Sequence, residues 1–191
     1  ISGCTNAATV EDNNTNNLGS IGGIVGKNQG FTYRNDCYAT VNLGTNYYST
    51  TPDIHLGGIA GLNDGGTVID DFNGQLYGQG VVGGIVGTNQ NGGTVMGCTN
   101  RATAMTLSGT GNTVGGIVGR NTAVVEQCVN ACLMSDISTS SMAYAGGIIG
   151  QNDGGTATHN YYIGACTCKG INNVDVVNQA KRGWPVIVTD E

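Results

Sequence analysis

Residues that could carry out acid–base or metal chemistry are few in this chain and lie apart in the sequence. Its two histidines are His55 and His159, and neither belongs to the His-Glu-x-x-His pattern of a zinc peptidase. Asp70 and Asp71 are adjacent acids of the kind that bind calcium or act as acid and base in polysaccharide-cleaving enzymes. The Cys-x-Cys segment 166–168 has no second ligand pair spaced to complete a zinc site. We therefore predict no catalytic residues, no metal and no cofactor; the aspartate pair leaves a carbohydrate-active β-helix enzyme, or its carbohydrate-binding accessory domain, as the alternative.

One seven-residue phrase organises the rest of the chain. It consists of two glycines, an isoleucine, a small aliphatic residue, a glycine, a free position and an asparagine. Its five copies are Gly22–Asn28, Gly57–Asn63, Gly83–Asn89, Gly115–Asn121 and Gly146–Asn152. We call each copy, together with the few residues before it and the residues that follow it, a repeat, and number the repeats 1 to 5. Successive copies begin 35, 26, 32 and 31 residues apart. This spacing is typical of solenoid repeats rather than of a compact globule.

The composition and the repeats together predict an all-β fold. The 34 glycines have no three-residue period, only 2 prolines occur, and Val, Ile and Ala recur in register with the glycines. Each repeat divides into three short extended segments: one ending in Gly-Gly-Ile-Val-Gly, one after the following turn, and one after a recurring Cys position. We predict a right-handed parallel β-solenoid of about five coils of three strands, because parallel crossovers are almost always right-handed.

The predicted domain organisation follows from where the repeats stop. Residues 1–163 form the solenoid, with a truncated first repeat, because Gly3-Cys4-Thr5-Asn6 matches Gly97–Asn100 inside repeat 3. The chain is accordingly expected to be a processed or excised piece of a longer protein. Residues 164–191 lack the repeat and are expected to serve as a C-terminal cap or exit segment, since a bare solenoid end is an open sheet edge.

Two repeated columns are predicted to be structural. The five asparagines that end the repeated phrase are expected to stack as a ladder of hydrogen-bonded amides. They are Asn28, Asn63, Asn89, Asn121 and Asn152. A second position holds Cys4, Cys37, Cys98 and Cys128, with Phe72 and Tyr161 as its other occupants. A position that accepts Cys, Phe and Tyr is expected to face the core, where free cysteine behaves as a small apolar residue.

Charge and loop composition restrict the partners. With 7 Lys and Arg against 13 Asp and Glu, the net charge is −6, and no basic run is present to bind nucleic acid. No stretch approaches the ~18 apolar residues of a transmembrane helix, so membrane insertion is not expected. The loop 44–56 carries the predicted ligand-binding residues Tyr47, Tyr48, Asp53 and His55, because aromatic faces stack on sugars and Tyr and Asn dominate adaptable contact surfaces.

The repeated phrase, followed by Gly-Gly-Thr-Val and then by Cys-x-Asn, resembles the GLUG motif over roughly residues 3–163. That repeat occurs in bacterial surface and adhesin-like proteins and in the non-catalytic part of immunoglobulin A metallopeptidases. The resemblance implies a secreted or cell-surface bacterial protein in which this segment is a stalk or an adhesive module. The expected partners are a host glycan or surface protein and, through self-association along the solenoid, a second copy of the chain.

Overall fold

The structure, a computed structural model, describes residues 1–12, 19–43, 54–107, 111–132, 134, 142–162 and 180–182. The regular elements of these residues are β-strands, and adjacent strands pair in parallel. Equivalent strands of successive repeats stack into four sheets, so the chain winds as a solenoid. The predicted fold class is confirmed as an all-β parallel β-solenoid, with about four turns and three or four strands per coil. Its right-handed sense stays a prediction.

The four sheets are named here in the order in which a repeat visits them. Sheet 1 contains Gly19–Gly22, Ile54–Gly57, Val81–Gly83, Asn112–Gly115 and Met142–Gly146. Sheet 2 contains Val25–Asn28, Ala60–Asp64, Val86–Gln90, Val118–Asn121 and Ile149–Asn152. Sheet 3 contains Thr5–Asn6, Phe31–Cys37, Thr67–Phe72, Thr94–Met96, Thr99–Asn100, Val124–Glu126, Val129–Asn130, Thr156–Thr158, Asn160–Tyr162 and Ala180–Arg182. Sheet 4 contains Thr9–Asp12, Thr40–Leu43, Gln75–Gly78 and Ala104–Leu107.

The segment predicted as one strand ending in Gly-Gly-Ile-Val-Gly is two strands separated by a bend. In repeat 3, sheet 1 ends at Gly83 and sheet 2 begins at Val86. A Cβ on Gly83 would collide with the carbonyl oxygen of Val86, so the tight fold requires glycine for space. Because the chain bends between the strands, Ile85 and Val86 are both fully buried, which simple alternation within one strand would not allow.

The third glycine of the phrase keeps sheets 1 and 2 in close contact. A Cβ on Gly87 would lie 2.5 Å from the carbonyl oxygen of Gly61 and 2.7 Å from the backbone nitrogen of Leu56. The φ angle of Gly87 is not positive. The position therefore requires glycine because two backbones meet there, and not because of an unusual dihedral angle.

The five asparagines of the repeated phrase form one continuous ladder through sheet 2. Each Nδ2 donates to the Oδ1 of the next repeat, over 2.9, 2.8, 2.9 and 2.8 Å from Asn28 to Asn152. The interior members also donate to backbone carbonyls; Asn89 Nδ2, for example, lies 3.0 Å from the oxygen of Val124. We call these five side chains the amide ladder. Because these five amides are engaged in hydrogen bonds between repeats, the ladder offers no free amide to a ligand.

The register of sheet 3 corrects the predicted cysteine column, whose members fall in three columns. Tyr161 pairs with Val129 and lies between the two columns that hold the others. Thr99 pairs with both Asp71 and Val129, which aligns Cys98 with Asp70 and Cys128. Cys37 pairs instead with Phe72, which pairs with Asn100. The first column is Cys4, Asn35, Asp70, Cys98, Cys128 and Asn160. The second is Asn6, Cys37, Phe72, Asn100, Asn130 and Tyr162.

The cysteines differ in burial. Cys37, Cys98 and Cys128 have no exposed surface, but Cys4 is exposed, so its assignment to the core was wrong. The leading segment of residues 1–12 is the outermost layer of the described stack. Strand Thr5–Asn6, which follows Cys4, pairs with Phe31–Cys37 and with no other described strand. No further described layer therefore covers the Cys4 thiol.

The second column fastens the bend of the next repeat. Asn100 Nδ2 donates to the carbonyl oxygen of Gly116 over 2.8 Å, and Asn130 Nδ2 donates to that of Gly147 over 2.9 Å. Asn6 makes the same bond to Gly23 over 2.5 Å. These three amides hold the Gly-Gly bends of repeats 1, 4 and 5, a role that could not be assigned from the sequence.

Near the other end, Ala180–Arg182 pairs in parallel with Asn160–Tyr162 and so adds a strand of the segment 164–191 to sheet 3. Among the described residues there is no helix with the length and apolar character needed to cross a membrane.

Candidate binding groove

Three of the four predicted ligand-binding residues, Tyr47, Tyr48 and Asp53, lie outside the described residues. The fourth, His55, is half-buried in sheet 1, and its Nδ1 is 2.7 Å from the Oγ1 of Thr88 in sheet 2. Thr88 is 3% exposed. His55 therefore links the two sheets through a hydrogen bond, which is a structural contact between repeats.

A one-residue difference between repeats shapes the outer face of sheet 3. The residue before the position aligned with Asp70 has positive φ, between 54° and 65°, in the leading segment and in repeats 1, 3, 4 and 5. These residues are Gly3, Arg34, Gly97, Gln127 and His159. Repeat 2 lacks this residue, and the register with repeat 1 shifts between Tyr33 and Asp36. The extra residue forms a β-bulge in the other repeats, so the sheet 3 strand of repeat 2 is the one without a bulge and lies between two bulged strands.

The missing bulge coincides with an open groove of about 350 Å³. It is lined by Tyr33, Arg34 and Asp36 of repeat 1, by Ile69 and Asp71 of repeat 2, and by Gly97 of repeat 3. Gly97 has no side chain to fill the space, and a Cβ there would have Ile69 Cγ2 nearby, at 3.8 Å. The groove therefore combines an apolar residue, an aromatic ring and charges of both signs.

Two of the carboxylates near the groove are engaged in structural hydrogen bonds. Asp70 is 3% exposed, and its Oδ1 accepts the backbone N–H of Asn35 over 2.7 Å. The Asn35 amide nitrogen also lies 3.2 Å from both Asp70 oxygens. Asp71 accepts the backbone N–H of Thr99 over 2.8 Å and pairs with Arg101 at 3.3 Å. The adjacent acids singled out in the sequence thus hold neighbouring repeats together.

Asp36 differs from these two carboxylates. It is exposed, and within the described part of the chain no group donates a hydrogen bond to its side chain. It pairs in register with Asp71 on the adjacent strand. Like charges directly opposite each other in a sheet are destabilising, so this pair favours a neighbour that donates hydrogen bonds.

Aromatic side chains continue along the same edge of repeat 1. The Arg34 guanidinium lies 4.8 Å from the centroid of the Tyr33 ring, in a cation–π contact. The Phe31 and Tyr33 rings are 5.9 Å apart and tilted. Phe31 is 51% exposed and Tyr38 is 54% exposed. Phe31 and Tyr33 thus pair at the start of strand Phe31–Cys37, and Tyr38 follows its other end. Exposed aromatic residues such as these are frequent at interaction surfaces.

A separate polar network surrounds Asp64 at the end of sheet 2. Lys27 Nζ is 2.8 Å from its carboxylate, and the amides of Asn91, Gln90 and Gln29 also donate to it. Donation from Lys27 first, and then from the three amides, holds the pKa of Asp64 well below its usual range. A carboxylate with this many donors is saturated, so it stabilises the turns of repeats 1 to 3 and is not open to a ligand.

Among the described residues, no group of three or more His, Cys, Asp or Glu side chains is placed to hold a metal ion. No protein-family model, curated protein or solved structure matches this chain.

Proposed function

We propose that this chain is a non-catalytic β-solenoid module of a bacterial secreted or cell-surface protein, in which it acts as an adhesive or spacer segment. The observation that carries the proposal is the use of its polar side chains. The amide ladder, the second column of amides and the Asp70–Asn35 contact all bind neighbouring repeats. A chain that directs its buried polar groups to repeat stacking maintains a shape, and its outer surface is what remains for partners.

The resemblance of the repeated phrase to the GLUG motif supports the location of this module on the cell surface or in secreted proteins. It also supports a host glycan or surface protein as partner. The exposed aromatic residues Phe31 and Tyr38 support the adhesive role over the spacer role, since a spacer needs no such surface.

The alternative is a carbohydrate-active β-helix enzyme or its carbohydrate-binding accessory domain. The pairing of Asp36 with Asp71 beside a groove favours it, because glycosidases use two carboxyl groups. Both oxygens of Asp71 already accept hydrogen bonds or an ion pair, from Thr99 and Arg101. A carboxylate so engaged is poorly placed to transfer a proton, so binding without cleavage is the better supported of the two.

The test is a screen of the whole chain against immobilised glycans and mucins, with release of reducing sugar measured in the same samples. Saturable binding without release supports the adhesive module. Release of reducing ends that depends on Asp36 would replace it with the enzyme, and absence of binding would leave the spacer. A double Tyr47→Ala/Tyr48→Ala variant, assayed in parallel, shows whether the loop 44–56 contributes to binding. Sedimentation at high concentration tests self-association along the solenoid.

A further inference from the structure

We propose that the groove of repeat 2 binds a neutral sugar ring of a glycan, a proposal that rests on the adhesive form of the proposed function and adds a binding site to that function. The groove exists because repeat 2 lacks the bulge residue and repeat 3 has glycine at that place. Its volume of about 350 Å³ lies at the lower end of the ~300–1,000 Å³ of small-molecule sites. This is suited to a mono- or disaccharide rather than to a folded partner.

The lining supplies the three kinds of contact that a pyranose uses. Ile69 offers an apolar surface to the C–H face of the ring, with the aromatic Tyr33 beside it. Asp36 and Asp71 accept hydrogen bonds from neighbouring hydroxyl groups, and Arg34 donates to hydroxyl oxygens. Hydroxyl groups that donate to both aspartates offset the repulsion between these opposed charges, which Thr99 and Arg101 offset in the free protein on the Asp71 side alone.

The charges decide which class of ligand fits. An anionic sugar would be repelled by the carboxylates of Asp36 and Asp71. Arg101 neutralises part of the charge of Asp71 but does not pair with Asp36. A basic peptide would meet Arg34, whose guanidinium already covers the Tyr33 ring. A neutral ring with many hydroxyl groups is repelled by neither, so it is the occupant that this lining favours.

The main test variant fills the groove at a bulge whose positive φ strains any side chain, a strain that Gln127 already sustains in repeat 4. Gly97→Gln places in repeat 3 the residue that repeat 4 carries at the same position, where Gln127 adopts a φ of 55°. A Cβ on Gly97 meets no atom closer than 3.8 Å, so the glutamine extends over Ile69. Its control is His159→Gln, which places the same glutamine at the equivalent bulge of repeat 5, away from the groove.

Binding is measured by saturation-transfer NMR and calorimetry on the whole chain, with cellotriose, maltotriose, mannotriose and N-acetyllactosamine as neutral probes. Sialyllactose and pentalysine serve as the anionic and cationic probes. We expect at least one neutral probe to bind, Gly97→Gln to weaken it by more than tenfold, and His159→Gln to leave it unchanged. Asp36→Asn is expected to weaken binding about tenfold, the loss of one charge-assisted hydrogen bond, while leaving the protein folded.

Each other outcome overturns a defined part of the proposal. Neutral glycans that bind Gly97→Gln as tightly as the parent would exclude the groove and leave the adhesive function standing at another surface. Preference for sialyllactose or pentalysine would contradict the neutral sugar. Failure of every probe and of the mucin screen would refute both the groove and the adhesive function, leaving the spacer.

Discussion

At the scale of single residues, Thr32 is a polar side chain in an apolar column. It pairs with Val68, and the same column continues through Val95, Val125 and Ala157. Thr32 is fully buried, and its hydroxyl has no hydrogen-bond partner. A buried hydroxyl without a partner costs roughly 1–3 kcal/mol relative to a bonded one.

Thr32→Val is therefore expected to raise the free energy of unfolding by about 1 kcal/mol, because valine keeps the shape and removes the unpaired hydroxyl. Urea denaturation measures the change. Thr94→Val, at a half-buried place on the outer face of the same sheet, is the control and is expected to change stability by less than ~0.5 kcal/mol. A loss of stability in Thr32→Val would mean that the hydroxyl makes a hydrogen bond in solution.

The thiols provide a second prediction at this scale. Burial raises the pKa of the Cys132 thiol to about 11, and desolvation likewise raises the pKa values of Cys37 and Cys98. Since the thiolate is the reactive form, these side chains are expected to resist iodoacetamide at pH 8 in the native protein. Cys4 is exposed and is expected to be alkylated. Peptide mass mapping before and after denaturation measures both, and alkylation of Cys98 at the rate of Cys4 would contradict the burial.

At the scale of the strand and the bend, glycines that look alike in sequence have different roles. A Cβ on Gly116 would collide with the amide of Asn130 and the carbonyl oxygen of Gly147, both held by the hydrogen bond between them. Around Gly30, in contrast, no atom lies within 4 Å of such a Cβ, and φ is not positive. The first glycine is required by packing and the second is not.

Gly116→Ala is accordingly expected to lower the free energy of unfolding by about 3 kcal/mol, the upper range for overpacking, because neither neighbour can move without breaking the bend. Gly30→Ala, the matched control, is expected to leave stability unchanged or to raise it by up to ~1 kcal/mol through the lower entropy of the unfolded chain. Thermal and urea denaturation of both variants measure the difference. Equal effects of the two substitutions would show that the bend of repeat 4 tolerates a side chain.

Much of the fold could be predicted from the repeated phrase, and the errors have a physical cause. The regular return of the phrase identified the stacked repeats and the parallel sheets, since each repeat presents the same strand to its neighbour. The bend inside the phrase could not be predicted, because adjacent Ile and Val fit either one two-faced strand or two strands. In the folded protein this segment forms two strands, because that arrangement allows both Ile85 and Val86 to be buried.

The groove could not be predicted because two local differences cancel in the sequence. From the ladder asparagine to the start of sheet 3, repeat 2 has one residue more than repeat 1. Its strand Thr67–Phe72 is then one residue shorter than Phe31–Cys37. Cys37 and Phe72 consequently lie equally far from Asn28 and Asn63, and that equal count concealed the missing bulge. The pairing of Asp36 with Asp71 depends on this register and became visible only in the folded sheets.

At the scale of the whole molecule, the solenoid is nearly one-dimensional, because each repeat contacts its neighbours and few others. The amide ladder follows the same rule. Asn89 accepts from Asn63 and donates to Asn121 and to the backbone of repeat 4. Asn152, the last member, accepts from Asn121 and donates to the carbonyl oxygen of Gly155 in its own turn.

Removal of an interior amide should consequently weaken the stack on both sides. Asn89→Ala removes the ladder bonds to Asn63 and Asn121 and the bond to Val124, while Asn63 and Asn121 keep their bonds to backbone groups, so we expect a loss of about 3 kcal/mol. Asn152→Ala interrupts one ladder bond at the end and is expected to cost about 1 kcal/mol. Hydrogen exchange followed by mass spectrometry locates the effect: protection should fall in repeats 2 to 4 for Asn89→Ala and in repeats 4 and 5 for Asn152→Ala.

The pattern of exchange distinguishes a stack of coupled repeats from a single cooperative core. In a stack, the energy lost at Asn89 reaches distant repeats only through the interfaces between, so repeat 5 keeps more protection than repeat 3. In one cooperative core, every slowly exchanging amide of the variant would lose protection by the same factor. A uniform loss of protection would therefore reject the one-dimensional description. It would also reject the expectation that a ligand bound in the groove of repeat 2 stabilises repeats 1 to 3 more than it stabilises repeat 5.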